Sequence, residues 1–187
     1  DGKKLALVPG FNNLWFELCD FNAATGEVSN PQKINIKYSF SFSPYGIEFS
    51  PDNSKVYING TLAFPGILQF DISSGILADI MASETDVGNG AGGSGPLQLM
   101  SDGKIYMVSA FFPNTSLDVI NDPNNLGPAC NCVKGAVSLG GKEALRSLPN
   151  FSHIYKLPLA INGQDSICAY SDNVVYTATD SITSKNF

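Results

Sequence analysis

Pro44-Tyr45-Gly46-Ile47-Glu48-Phe49-Ser50-Pro51-Asp52-Asn53-Ser54-Lys55-Val56-Tyr57 returns later in the chain as Gly95-Pro96-Leu97-Gln98-Leu99-Met100-Ser101-Asp102-Gly103-Lys104-Ile105-Tyr106. Ile67-Leu68-Gln69-Phe70-Asp71-Ile72 is answered in the same way by Ser116-Leu117-Asp118-Val119-Ile120. Each copy sets a short apolar stretch on either side of a turn in which Asp is followed by Asn or Gly, residues that tolerate the positive φ of tight hairpins. A repeat of roughly 40 to 50 residues built from short strands has the period of a propeller blade.

Strand signals continue outward from the repeat. Leu14-Trp15-Phe16-Glu17-Leu18-Cys19-Asp20-Phe21 reads as a buried strand closed by the turn Asn22-Ala23-Ala24-Thr25-Gly26, and Lys33-Ile34-Asn35-Ile36-Lys37 alternates with period two. These are the outer strands of a first, truncated blade. A second is expected from about Tyr45 to Met81 as four strands, the last following a turn at Ser74-Gly75, and a third begins at Pro96. The expected fold class is all-β: a partial β-propeller of about three four-stranded antiparallel blades over residues 1–164. Rings usually need four to eight blades, so a chain of 187 residues reads as a piece of a longer polypeptide. Asp1-Gly2-Lys3-Lys4 leads directly into the apolar run Leu5-Ala6-Leu7-Val8 with no signal peptide in view, and the natural start is expected upstream or removed.

Composition removes several partners. The net charge is −6, from 17 acidic and 11 basic residues, which supplies no basic surface for nucleic acid. Apolar stretches are strand length and interrupted by Pro, Gly or charge, well short of the roughly 20 residues that span a bilayer as a helix. The chain is therefore read as not membrane-spanning. Asp86-Val87-Gly88-Asn89-Gly90-Ala91-Gly92-Gly93-Ser94-Gly95 lacks the Lys-Ser/Thr of a phosphate loop and precedes a strand, so it reads as an inter-blade connection.

Candidate chemistry is sparse. Four cysteines stand beside a single histidine, His153, without Cys-x-x-Cys spacing. Two readings of the thiols stay open: a long-range disulfide from Cys130 to Cys168, or to Cys19, in an oxidising compartment, or four unpaired cysteines. Asn121-Asp122-Pro123-Asn124-Asn125-Leu126-Gly127-Pro128 reads as an ordered loop of Asx turns, with a Ca2+ site on Asp118, Asp122 and backbone carbonyls as its alternative. Glu48, an acid in an otherwise apolar strand, is expected to turn toward water or the channel as a candidate ligand contact, with glycoside cleavage beside Asp71 or Asp118 as its alternative. Phe111-Phe112-Pro113 places two aromatics next to each other in a loop and is the leading candidate for a ligand contact. Asp52 and Asp102 are assigned to turn structure. Asn-x-Ser/Thr triplets occur at Asn59, Asn114 and Asn150.

Residues 95 to 151 carry a further pattern: Pro96-Leu97-Gln98-Leu99, Asp102-Gly103-Lys104-Ile105-Tyr106, Leu117 to Asn131 with its Asn-Asn-x-Gly and Ala-Cys-Asn, then Leu139-Gly140-Gly141 and Leu148-Pro149-Asn150-Phe151. The combination resembles the last blades of the WD40-like propeller in large Bacteroidetes surface proteins that end in a type B sorting domain for the type IX secretion system. Many of these proteins carry gliding-motility or adhesin names. The resemblance spans roughly residues 5 to 160, and Cys132 and Tyr155-Lys156-Leu157-Pro158 depart from it. It implies an exported, surface-exposed recognition or scaffold module, with no catalytic motif to transfer. It also implies that residues 165–187, beginning near Ile167-Cys168-Ala169-Tyr170, open an immunoglobulin-like β-sandwich of the polycystic-kidney-disease (PKD) type. Ser166 and Ser181, each in an Asp-Ser-apolar triplet, match the O-glycosylation motif of that phylum.

The functional expectation is a non-enzymatic binding or scaffold module, extracellular or on the outer-membrane surface of a Gram-negative bacterium, acting in adhesion or gliding. Its expected partners are the type IX translocon during export and a glycan or surface protein afterwards. Two alternatives belong to other classes: a propeller enzyme that degrades polysaccharide, and an export cargo held with its translocon.

Overall fold

The computed structural model describes residues 2–9, 13–37, 43–61, 66–88, 95–108, 114–145, 148, 159–162 and 177–180. The chain divides into two compact units, Asp1–Asn150 and Phe151–Phe187. Strands dominate the described residues, and all the pairings are antiparallel.

The first unit holds three sheets. In the first, β1 (Lys4–Leu7), β2 (Trp15–Asn22) and β3 (Glu27–Asn35) follow one another as a meander. The second runs β4 (Ser43–Phe49), β5 (Lys55–Thr61), β6 (Ile67–Asp71) and β7 (Thr85–Asp86). The third runs β8 (Leu97–Leu99), β9 (Ile105–Val108), β10 (Ser116–Ile120) and β11 (Cys132–Ser138). Within each sheet every strand pairs with its neighbour in sequence. At the β4–β5 and β8–β9 turns, Asn53 and Gly103 hold φ of 58° and 80°, the conformation those residue types reach most cheaply.

Alternation along β5 and β6 gives the second sheet two apolar faces. Val56, Ile58, Leu68 and Phe70 pack onto Phe16, Leu18, Ile34 and Ile36 of the first sheet, with the Phe16 and Phe70 rings edge-on at 4.9 Å. Tyr57 and Ile67 turn the other way and pack onto Leu97, Ile105, Met107 and Ile120 of the third sheet. The second sheet is thus covered on both sides, which explains why Ile67-Leu68-Gln69-Phe70 reads as a nearly unbroken apolar run.

Register makes the three sheets copies of one unit. Lys4 stands opposite Asp20 and pairs with it, and Lys55 stands opposite Asp71 at 3.5 Å. Lys104 donates to Asn121 Oδ1 at 2.8 Å from the corresponding place in the third sheet. The backbone repeats the match, since Phe21 N–H donates to Lys3 C=O as Ile72 N–H does to Ser54 C=O. The sheets also stack head to tail: Val56 and Ile58, just after Lys55, face the first sheet, and Ile105 and Met107, just after Lys104, face the second. On one side of the stack β1 lies against β4, and β4 against β8.

One element departs from the expected strand order. The segment after Ser74-Gly75 forms a helix, α1 (Leu77–Ala82), and the fourth strand of the second sheet is postponed to β7. Apolar side chains at Ile76, Leu77, Ile80 and Met81 have helical spacing, and α1 lies between β3 and β6 with Ile80 buried in the core shared by the first two sheets. The second unit contributes a described antiparallel pair, β12 (Leu159–Asn162) with β13 (Thr177–Asp180).

Candidate functional site

The first place where sequence candidates and geometry meet is the contact between β4 and β8. Glu48 is half-buried there, and its carboxylate accepts two backbone N–H groups, from Phe49 at 2.9 Å and from Leu99 of the third sheet at 3.0 Å. Both oxygens therefore have a structural use, and the one that accepts from Leu99 joins one sheet to the next. Beside it the buried Asn59 amide spans the same joint, accepting from Gly46 N–H at 2.8 Å and donating to Gly95 C=O at 2.5 Å. The two sheets approach so closely that a Cβ on Gly46 would lie 3.0 Å from the Leu97 backbone nitrogen and 3.2 Å from the Gly95 carbonyl oxygen.

The second place is the loop from Asn121 to Asn131, which includes a 3-10 turn at Gly127–Cys130. It leaves the third sheet and docks on the second. The buried Tyr57 hydroxyl donates to Pro123 C=O at 2.7 Å. Gln69 then uses its whole amide: Nε2 donates to the Tyr57 hydroxyl at 2.7 Å and to Asn125 C=O at 2.8 Å, and Oε1 accepts Gly127 N–H at 2.7 Å. Asp52 N–H donates to Asn124 Oδ1 at the rim of the same joint. Burial raises the Tyr57 phenol strongly above its ordinary range, so it is a neutral donor at any physiological pH.

Both Ca2+ candidates have hydrogen-bond partners within this framework. Asp118 is buried on β10 and accepts Gly135 N–H at 2.7 Å, while Asp122 is exposed and accepts from the Asn131 side chain at 3.2 Å. Among the described residues no group of three or more His, Cys, Asp or Glu side chains is placed to hold a metal ion. The loop's bonds differ from the expected Asx turns: Asn125 N–H donates to the Asp122 backbone C=O in an ordinary β-turn, and Asn125 Nδ2 donates to Ala129 C=O. Asp52 and Asp102 serve their turns: Asp52 accepts from Ser50, from the Ser54 hydroxyl and from Ser54 N–H, and Asp102 accepts from Lys104 N–H and the Tyr106 hydroxyl.

Among the described residues Cys19, Cys130 and Cys132 form no disulfide with one another. Cys130 is buried against the Tyr57 hydroxyl, and burial raises its thiol. Burial also pushes Cys132 up to about 12, with the neighbouring Cys130, Asp118 and Asp86 acting in the same direction. Cys132 lines a cleft of about 650 Å3 together with Asp86, Val87, Pro128 and Asn131. The candidates Phe111, Phe112, His153, Ser166, Cys168, Ser181 and Asn150 lie outside the described residues, and so does the pairing of Cys130 with Cys168. Of the other two Asn-x-Ser/Thr triplets, both asparagines are buried, Asn59 in its inter-sheet bonds and Asn114 with Nδ2 toward Leu145 C=O. In the folded protein neither amide is accessible for glycosylation.

The sequence reading did not find the inter-sheet role of Tyr57, Gln69 and Asn59. Their signal was present as polar groups inside strands otherwise apolar, and buried polar groups of that kind are held by partners. No protein-family model matches the chain, and none of the curated proteins matches it.

Proposed function

We propose that the first unit is a run of β-propeller blades and that the protein works as a non-enzymatic binding or scaffold module. In this reading it is carried to the cell surface of a Gram-negative bacterium as part of a type IX secretion substrate, and it serves in adhesion or gliding. One observation carries the architectural half of the proposal. Equivalent residues of successive sheets point the same way along the stack, Val56 and Ile58 toward one neighbour and Ile105 and Met107 toward the next. Head-to-tail packing of identical units has no built-in end; it closes into a ring or extends. The close approach of β4 to β8 on one side, with α1 inserted between β3 and β6, is what sheets arranged around an axis require. Leu5 and Leu7 take the same two places on β1, yet they are 38% and 36% exposed where their four counterparts are fully buried.

The export half rests on the resemblance of residues 95 to 151 and on the low, acidic charge of the chain. The binding role over catalysis is supported by Glu48, whose carboxylate is committed to backbone N–H groups of two sheets. The full polypeptide expressed in its host should be accessible to external protease in wild-type cells and retained inside cells lacking the type IX translocon. Offered a panel of polysaccharides, it should bind without releasing sugars. Retention of surface exposure in translocon-deficient cells defeats the export reading, and sugar release that disappears in Glu48→Gln defeats the non-enzymatic one.

A further inference from the structure

The described part of the first sheet has three strands where the other two sheets have four, and register identifies which strand is missing. By their lysine partners β1, β5 and β9 are the same strand of the unit. β5 pairs with β4 and β9 with β8 on the edge away from β6 and β10. On β1 the corresponding edge has no strand partner among the described residues, since β1 pairs with β2 alone.

The turn that should bring such a strand in is already shaped. Asp1-Gly2-Lys3-Lys4 aligns one to one with Asp52-Asn53-Ser54-Lys55, because Lys4 matches Lys55 and Lys3 C=O matches Ser54 C=O. Gly2 has a φ of 67° and Asn53 a φ of 58°. A left-handed residue at this place closes the β4–β5 hairpin, and a flexible lead-in has no reason to share it.

We propose that the free edge of β1 takes up an antiparallel strand supplied by the same polypeptide immediately ahead of the Asp1-Gly2 turn. Its chemistry follows from β4 and β8. It is apolar at alternate positions, as Ile47 and Phe49 are and as Leu97 and Leu99 are, so that those side chains stand across from Leu7 and Leu5 on the face turned away from the second sheet. A main-chain ladder along Lys4–Leu7 supplies the affinity, as in other strand additions to an open edge. The inference rests on the repeat reading alone and is independent of export and of ligand binding.

The test extends the 187-residue chain with a copy of residues 43–51 placed directly before Asp1, so that the copied strand meets the native turn. Hydrogen exchange of the β1 amides is then compared with that of β5 and β9 as internal references. Exchange along β1 is expected to slow by about tenfold or more, the change that accompanies a new ladder hydrogen bond on an exposed edge. A control extension carrying Ile47→Asp and Phe49→Asp in the copy should leave β1 as it is in the unextended chain. The same segment added as a free peptide to the unextended chain should slow the same amides in a dose-dependent way, which keeps the test decisive if the extended chain folds poorly. The proposal is overturned if neither form protects β1 while β5 and β9 stay protected. It is equally overturned if β1 of the unextended chain becomes protected with rising protein concentration, which would assign the edge to a second copy.

Discussion

Tyr57→Phe takes one hydroxyl out of the joint between the second and third sheets and leaves the ring packing intact. The hydroxyl is fully buried and has two partners, donating to Pro123 C=O and accepting from Gln69 Nε2. Gln69 Nε2 is left with Asn125 C=O alone for its two protons, so the loss falls mainly on the carbonyl of the buried Pro123. A buried polar group left unpaired costs about 1–3 kcal/mol, and at roughly 2–4 °C per kcal/mol a mid-range loss lowers the melting temperature by about 4–8 °C. Gln69→Leu strands more, namely Gly127 N–H and Asn125 C=O, and should cost about 3–5 kcal/mol on the same scale. The Tyr57–Gln69 bond is lost in both single variants but only once in the double variant, so the double should fall short of the sum by about 1 kcal/mol. Urea unfolding followed by Trp15, the one tryptophan of the chain and a residue of the first unit, gives all four stabilities with m-values to compare. A Tyr57→Phe variant within about 0.5 kcal/mol of wild type, or strict additivity of the pair, refutes the idea that this network latches the loop to the neighbouring sheet.

Gly46→Ala should destabilise by about 1–3 kcal/mol, because the added Cβ meets Asn59 Oδ1 at 2.6 Å and the backbone nitrogen of Leu97 in the third sheet at 3.0 Å; an unchanged urea midpoint would contradict the close approach of the sheets. Burial tends to raise the carboxyls of Asp52 and Asp71, but their serine hydrogen bonds and Lys55 outweigh it and hold both below the ordinary range. Their folded pKa values are depressed, so their contribution is complete above the unfolded value near 4 and is lost as pH falls through the folded values. The urea midpoint should therefore drop on acidification below about pH 4, and drop less in Asp52→Asn and Asp71→Asn; parallel curves for wild type and variants would contradict the assignment. Cys132, pushed up to about 12, should resist alkylation in the native protein at pH 8 and label fully in denaturant. Rapid native labelling would contradict a half-buried thiol held neutral by its surroundings.

What was legible in the sequence was what short-range chemistry controls. The Asp52-Asn53 and Asp102-Gly103 turns and the alternation around them marked the repeat, because a hairpin turn and its two strands lie within a dozen residues of one another. The helix α1 was not legible, since a six-residue segment with Ile76, Leu77, Ile80 and Met81 is as apolar as a strand and only the space between β3 and β6 favours coiling it. The first copy of the turn was hidden for a different reason. Asp1-Gly2-Lys3-Lys4 resembles the other turns in spelling, but it took the register of Lys4 with Asp20 to identify it as the same element. Glu48 stood out as an acid in an apolar strand, yet its partner Leu99 N–H lies in another sheet, and Tyr57 reaches a carbonyl 66 residues away. Contacts between sheets depend on how the units stack, which no local pattern encodes.

The central claim is that these sheets are successive copies of one unit stacked head to tail around an axis, with the face of Leu5 and Leu7 turned toward another copy. An experimental structure of the full-length polypeptide in its native form tests it most directly. The account predicts four-stranded sheets continuing in a ring, with a strand paired to β1 and a preceding sheet covering Leu5 and Leu7. Leu5 and Leu7 left in solvent, or covered by an element of another type, would contradict it.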